Sequence, residues 1–234
     1  MAFFDHPFRA LVIGSNGGIG RAITDELKQY SNCVECSEIN RILFPNFDMT
    51  KEERIKDIAD IFLAKKEKYD LIFDATGGLE VNGFGPEKAF KQLEQSAMEG
   101  QFALNAMGPA LLMKYFLPLL PKDKAACFAS LSAKVGSIDD NGLGGWMSYR
   151  AAKAALNQFI KCASIEQKRK NSNSLVIGLH PGTVATKLSE KYAKSSMKIF
   201  TPEQSATMLL SVINHLTTDK SGYLYAYDGT KIPF

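Results

Sequence analysis

The chain predicts an α/β protein built on a doubly wound, mostly parallel sheet with helices on both faces. Three observations predict it. Short apolar runs of strand length alternate with longer stretches whose apolar residues recur every three or four positions. Glycine or proline closes several of those runs. No repeat or linker divides the 234 residues, so one large domain accommodates them. Alternation of this kind favours right-handed βαβ units covered on both faces.

Phe8 to Ile13 (FRALVI) is the first apolar run and stops at Gly14. Ile19, Ile23 and Leu27 then repeat at helical spacing, predicting a helix over Ile19 to Tyr30. Asn32 to Cys36 is a weak second strand. Thr50 and Glu53 stand as a capping box for a helix whose apolar face is Ile55, Ile58, Ile61 and Phe62. Asp70 to Ala75 is the third strand, broken by Gly77-Gly78. A long helix is predicted from Ser96 to Leu120, then a strand over Ala126 to Leu131. After a Gly- and Asp-rich loop comes a helix with Ala152, Ala155, Leu156, Phe159 and Ala163 on one stripe. Leu175 to Leu179 is a strand ended by Pro181-Gly182, Pro202 starts a further helix, and Tyr223 to Ala226 is the last strand.

Composition is that of an ordinary globular chain, 45% hydrophobic and 23% charged, with a net charge of only +3. The basic residues are scattered, and the densest run, Lys168-Arg169-Lys170, falls at a helix end where cations suit the dipole. Nucleic acid is therefore not an expected partner. The stretch from Phe102 to Leu120 is apolar but interrupted by Asn105, Gly108, Pro109, Lys114 and Pro118, so a buried helix is expected and no membrane span. No signal peptide is read at the start, and a cytoplasmic location is expected. Cys33 and Cys36 form C-x-x-C, but in a strand residues three apart take opposite faces, and no second pair at metal spacing exists. No metal site is expected.

The chemistry-bearing segments begin with Gly14-Ser15-Asn16-Gly17-Gly18-Ile19-Gly20, between the first strand and the first helix. Such a turn lets the backbone approach a pyrophosphate, and the helix N-terminus offers free N–H groups and the positive end of its dipole. The Lys-Ser/Thr tail of an ATP-binding loop is absent. Asp48 suits either an adenine amine or a plain turn. Asp74-Ala75-Thr76-Gly77 ends the third strand at the carboxyl edge, where open α/β sheets bind ligands. Tyr149 and Lys153 lie four residues apart, one helical turn on one face. A free phenol titrates near 10, and a nearby ammonium would lower that value toward a working range. The spacing alone equally describes a surface Tyr beside a surface Lys. Tyr227 and Lys231 match it too, across an Asp228-Gly229 turn that denies them a shared helical face.

Taken in this order, the segments resemble the short-chain dehydrogenase/reductase family over essentially the whole chain. The family's T-G-x-x-x-G-x-G corresponds to Ile13 through Gly20, with Ile13 replacing Thr. Its N-N-A-G corresponds to Asp74-Ala75-Thr76-Gly77, with two polar positions changed. Asn105 matches the helix Asn of the catalytic tetrad, and His180-Pro181-Gly182-Thr183 with Thr186 matches the segment that contacts the nicotinamide amide. Leu131 to Ile138 and the closing Tyr227-Asp-Gly-Thr-Lys-Ile-Pro are similar to the C-factor-like carbonyl reductase group. One departure stands out. Aligned through Gly136, the family's catalytic Ser falls on Ala133, leaving Ser132 to supply the hydroxyl after a small shift of the strand end, with Ser130 as the lesser alternative.

The resemblance implies a single Rossmann-like domain over residues 1–234 that binds a dinucleotide and carries the catalytic residues. It implies an oxidoreductase moving a hydride between NAD(P)(H) and a small carbonyl or alcohol, with Tyr149 giving the proton, Lys153 lowering its pKa and holding the nicotinamide ribose, Ser132 polarising the carbonyl and Asn105 holding a relay water. Gly14, Ser15, Asn16, Gly18, Ile19, Gly20, Asp48, Ala75, Thr76 and Gly77 would border the cofactor, with Pro181, Gly182, Thr183 and Thr186 on its far side. Trp146, Met147 and the Leu188 to Phe200 segment would border the substrate. Ser37, Glu38 and Arg41, read as following the second strand, leave NADP and NAD both open, with the group resembled leaning to NADP. A dimer or tetramer through the long helices is the family habit. The rival reading is a non-catalytic dinucleotide-binding sensor or scaffold on the same fold.

Overall fold

The computed structural model describes residues 3–186, 191–192 and 198–234. Strands β1 (Phe8–Ile13), β2 (Cys33–Ile39), β3 (Leu71–Asp74), β4 (Ala126–Leu131) and β5 (Ser174–His180) alternate with helices α1 (Gly18–Leu27), α2 (Glu52–Ala64), α3 (Gln95–Phe102), α4 (Gly108–Phe116) and α5 (Met147–Lys170). Short strands β6 (Thr183–Val184) and β7 (Ile199–Phe200) pair with each other, and helix α6 (Pro202–His215) and strands β8 (Leu224–Ala226) and β9 (Lys231–Ile232) close the chain. The main sheet has seven strands in the order β2-β1-β3-β4-β5-β8-β9. Every pairing from β2 to β8 is parallel, and only β9 runs antiparallel. The sheet is the doubly wound one the sequence predicts.

Strand alternation sorts the core into two layers. Ala10, Val12, Phe73, Cys127, Ile177 and Leu179 face α1 and α6, where Ile23, Leu27, Leu209 and Leu210 meet them. Leu11, Ile13, Ile72, Phe128 and Val176 face Ile58, Phe62, Phe116, Leu156 and Ile160 from α2, α4 and α5. The central strands are wholly buried, which explains their near-continuous apolar sequence. The chain leaves β1 toward β2, then returns to place β3 on the other side. The gap between the carboxyl ends of β1 and β3 is therefore the topological switch point, where such sheets bind ligands.

Several expectations need correction. Strand β2 runs on to Ile39, so Ser37 and Glu38 lie within it rather than after it. A register shift opposite Phe8 and Arg9 passes over Val34. That bulge cancels the alternation, and Cys33 and Cys36 pack against the same core layer. Both are free thiols, and burial pushes Cys36 up to about 12, away from thiolate chemistry. Thr50 does not cap α2: its hydroxyl and N–H both bind Asp48, and Lys51 is the cap residue. Ile61 and Phe159 are exposed, because the buried stripes run through Ala59 on α2 and through Lys153, Asn157 and Ile160 on α5. The predicted long helix is real but opens into a wider π turn at Ala103–Met107. Among the described residues, no helix is long and apolar enough to cross a membrane, and no three His, Cys, Asp or Glu side chains gather as a metal would need.

Candidate active site

The Gly-rich turn is built from backbone. Gly14 takes φ +85 and donates its N–H to Ile39 of β2, and Gly17 turns back onto the Gly14 carbonyl. A Cβ on Gly20 would collide with that same carbonyl oxygen, so only glycine lets α1 start this close to β1. Gly17 caps α1 without any side-chain hydrogen bond, and the first turn of α1 carries no acid. The N-terminal amides are thus left for an anion, with Asn16, Gly17 and Gly18 exposed around them. Ser15 contributes backbone only, since its buried hydroxyl accepts from Asn40 Nδ2 at 2.8 Å. Glu38 on the neighbouring strand is held by Lys28 at 2.7 Å and by Ser15, and its carboxylate stays below the ordinary range through those bonds despite partial burial. Thr186 packs against Gly18, where an added Cβ would stand 2.7 Å from the Thr186 methyl. Asp48 is exposed, with Oδ1 closing the Thr50 turn at 2.8 Å.

At the carboxyl end of β3, Asp74 is fully buried and collects three donors. Ser130 Oγ binds its Oδ2 at 2.6 Å, while the N–H and hydroxyl of Thr76 bind its Oδ1 at 3.0 and 2.5 Å. This accounts for the alternative Ser130: its hydroxyl is committed to the sheet interior. Gly77 follows at φ +134, and a Cβ there would stand 2.9 Å from Asn105 Oδ1 and 3.4 Å from Lys153 Nζ. Only glycine leaves room there for both polar atoms. The π turn presents Asn105 inward, where its amide brackets Gly78, accepting the N–H at 3.1 Å and donating to the C=O at 2.8 Å. Gln101 secures the other amide hydrogen at 2.7 Å.

Helix α5 runs antiparallel to the strands, so its first turns reach the carboxyl edge. Lys153 is buried there, and Nζ donates to the Leu131 carbonyl at 2.8 Å. Burial pulls its ammonium down to about 8, opposed by the carboxylate of Asp74. Tyr149 stands one turn nearer the edge, with Lys153 Nζ 5.8 Å from its ring centre. Here the expected depression of the phenol is overturned. Burial pushes Tyr149 above its ordinary value, and the Lys153 ammonium is directed at the Leu131 carbonyl. Ser132 needs correction too. The predicted shift of the strand end is absent: Ser132 N continues the ladder to Leu179 at 2.8 Å, and its buried hydroxyl donates to Asn157 at 2.7 Å. Ala133, where the family's Ser would fall, starts the short turn at Lys134–Gly136.

On the far side, Ser205 Oγ binds the Pro181 carbonyl at 3.0 Å, and Gly182 takes φ +78 against the rings of Phe200 and Tyr227. Thr183 begins β6. His180 ends β5 on the α5 face, and its Nδ1 is the one buried side-chain nitrogen or oxygen without a hydrogen-bond partner among the described residues. Burial, aided by Lys134, brings the imidazole down to about 4, so it is neutral near pH 7. Trp146 takes φ 54 ahead of α5, with its ring 6.3 Å from Tyr149 and 5.6 Å from Tyr192. Most of the predicted Leu188 to Phe200 border, residues 188–190 and 193–197, lies outside the described residues. The polar partners Asp74–Ser130, Ser132–Asn157 and Gln101–Asn105 were missed. Their signal was polar residues on otherwise apolar strands and helix faces.

The family model for short chain dehydrogenases matches residues 9–196. The chain belongs to that family. It is thereby an NAD(P)-dependent oxidoreductase on a Rossmann-like sheet. A 1-hydroxy-2-glutathionyl-2-methyl-3-butene dehydrogenase from Rhodococcus sp. (strain AD45) is 29% identical over 94% of this chain and 96% of its own. The C-signal protein of Myxococcus xanthus is 29% identical over 62% of this chain and 84% of its own, in keeping with the C-factor-like group. The NADPH-bound carbonyl reductase from chicken fatty liver superposes with a TM-score of 0.83 at 23% identity, covering 98% of this chain and 95% of that one. The uncapped start of α1, its acid-free first turn and the close Gly14–Gly20 packing fit the pyrophosphate of a dinucleotide.

Proposed function

We propose that this chain reduces a small carbonyl compound, or oxidises the matching alcohol, with Tyr149 as the proton-transferring group. A bound nicotinamide dinucleotide, NADP or NAD, would supply or accept the hydride. The α1 N-terminus and the Gly14–Gly20 backbone hold the pyrophosphate, with Ile19 and Thr186 beside them. Asp48 and the Ala75-Thr76-Gly77 turn flank the adenosine side, and Pro181, Gly182 and Thr183 flank the nicotinamide side. Tyr149, kept in its acid form by burial, gives its proton to the carbonyl oxygen as the alkoxide forms. Lys153 would lend positive charge and reach the cofactor's ribose, and Asn105 Oδ1, which faces Gly77 as Lys153 Nζ does, would hold the water that resupplies the proton. Ser132, bound to Asn157, supports the strand end. The rings of Trp146 and Tyr192 wall the substrate next to Tyr149. Exposed Phe159 and Ile165 on α5 suit burial against a second copy.

The observation that carries this reading is the arrangement at the carboxyl edge, where Lys153 Nζ faces Gly77 as Asn105 Oδ1 does and lies 5.8 Å from the Tyr149 ring centre. Tyr149→Phe tests it, using a panel of aldehydes and ketones with NADPH and NADH. The variant should bind cofactor as the parent does and lose about 10²- to 10⁴-fold in kcat/KM. Near-normal turnover in that variant overturns the assignment. Cofactor binding by the parent without turnover of any carbonyl would favour the sensor or scaffold.

A further inference from the structure

Tyr149 lies in the first turn of α5, and that turn has no cap of its own. Trp146 stands at the N-cap position without a side-chain hydrogen bond, and no acid follows it in the first turn. A helix start leaves its first N–H groups without partners inside the helix. At α1 those groups are left open beside the Gly-rich turn. At α5 a residue of the loop after β3, Glu87, reaches in from 61 positions away in sequence. Glu87 is buried, with 6% of its surface exposed. Its Oε1 accepts the Ser148 hydroxyl, and its Oε2 accepts the Ser148 N–H at 3.3 Å. Its main-chain carbonyl accepts the N–H of Trp146.

The turn held in this way is one a chain adopts only under constraint. Gly144, Gly145 and Trp146 take φ +63, +66 and +54 in succession. Glycine does so freely, but a large aromatic residue in the left-handed region has to be kept there by its surroundings. Those surroundings are Glu87 on one side and Arg150 on the other. Arg150 donates from Nε to the Gly145 carbonyl at 2.9 Å, and from its two terminal nitrogens to Val135 and Gly144 at 3.3 and 3.2 Å. Gly145 packs on Glu87, where an added Cβ would stand 3.4 Å from the Glu87 carbonyl oxygen. The direction of a side chain follows its backbone. The place of the Trp146 ring, 6.3 Å from that of Tyr149, therefore depends on this turn being held.

We infer that Glu87 is a positioning residue of the site: its carboxyl group caps α5 through Ser148 and anchors the left-handed turn that sets the Trp146 ring beside Tyr149. Glu87 acts through those neighbours and not on the reacting atoms. This rests on Tyr149 and Trp146 bordering the substrate, as in the proposed function. With the carboxyl group removed, the start of α5 loses its cap and the loop after β3 loses its hold on the turn. Trp146 then leaves its place, and Tyr149 meets the substrate less well.

The test is Glu87→Ala in the full chain, read two ways. Trp146 is the one tryptophan of the chain, so its fluorescence reports the turn with or without turnover. Quenching of that fluorescence by acrylamide should increase in the variant. With an accepted carbonyl, kcat should fall about tenfold while the Kd for NADPH stays that of the parent, because the pyrophosphate turn lies at α1. A merely structural loss lowers thermal stability and leaves the quenching of the folded protein alone. Glu87→Gln should recover most of both losses: its amide oxygen can accept the Ser148 N–H while the Ser148 hydroxyl turns to accept from the amide nitrogen. Unchanged quenching in folded Glu87→Ala overturns the inference even if Tyr149→Phe behaves as proposed, and so does increased quenching with the parent's kcat. Increased quenching where the parent itself turns over no carbonyl upholds the anchoring of the turn while the functional reading fails. If Glu87→Ala does not fold, Ser148→Ala removes one partner of the carboxyl group and should increase the quenching by a smaller amount, with no increase counting against the inference.

Discussion

The two halves of the site are built from different materials. Around Gly14 to Gly20 the work falls to main-chain amides, a bare helix end and the absence of side chains. Around Asp74, Asn105 and Lys153 it falls to buried side chains, each held by a named partner, with half-buried Tyr149 beside Lys153. The difference teaches what each half tolerates. A backbone site is insensitive to pH and fails by collision, whereas a side-chain site fails by losing one atom or one proton.

The largest break in that contrast is the loss of turnover in Tyr149→Phe, where a single oxygen is removed. Next comes acid. His180 titrates near 6.5 when unfolded but only at about 4 when folded, because burial disfavours the imidazolium. The unfolded chain takes up the proton first, so the stability present above pH 6.5 is lost as pH falls toward 4. The loss should approach roughly 3 kcal/mol. Urea unfolding at pH 7 and pH 4.5 checks this, and His180→Asn should flatten that part of the profile. A third break is steric. Gly20→Ala drives a methyl into the Gly14 carbonyl and should cost about 1–3 kcal/mol of stability together with cofactor affinity, as thermal unfolding with and without NADH would record. The smallest effect sharpens the comparison where the halves meet. Glu38→Gln removes a carboxylate beside the turn and should raise the NADPH-to-NADH preference by about tenfold, near 1.4 kcal/mol, in paired initial rates.

The same contrast explains what was legible in the chain. FRALVI, DLIFDA and the glycine turn announce themselves because local sequence dictates them, and the strands and the switch point follow. The side-chain half depends on contacts between residues far apart in sequence. Nothing near Ser132 announces that its hydroxyl goes to Asn157, and nothing near Asp74 announces Ser130. Apolar periodicity also misled where a charge was buried. The buried α5 stripe includes a charge, Lys153, so apolar spacing points instead to Phe159, which is exposed. The Val34 bulge is equally silent, since one extra residue in a strand leaves the composition unchanged.

The wide turn at Ala103–Met107 makes the helical path into a phase shifter. Gln101 before it, Asn105 within it, and Leu112 and Phe116 after it all face inward. A regular helix advances about 100° per residue, so deleting one position from the turn would swing one flank through about that angle. Homologous chains should therefore conserve the count of residues across this stretch more strictly than their identities, and length variation there should mark members that have abandoned the chemistry.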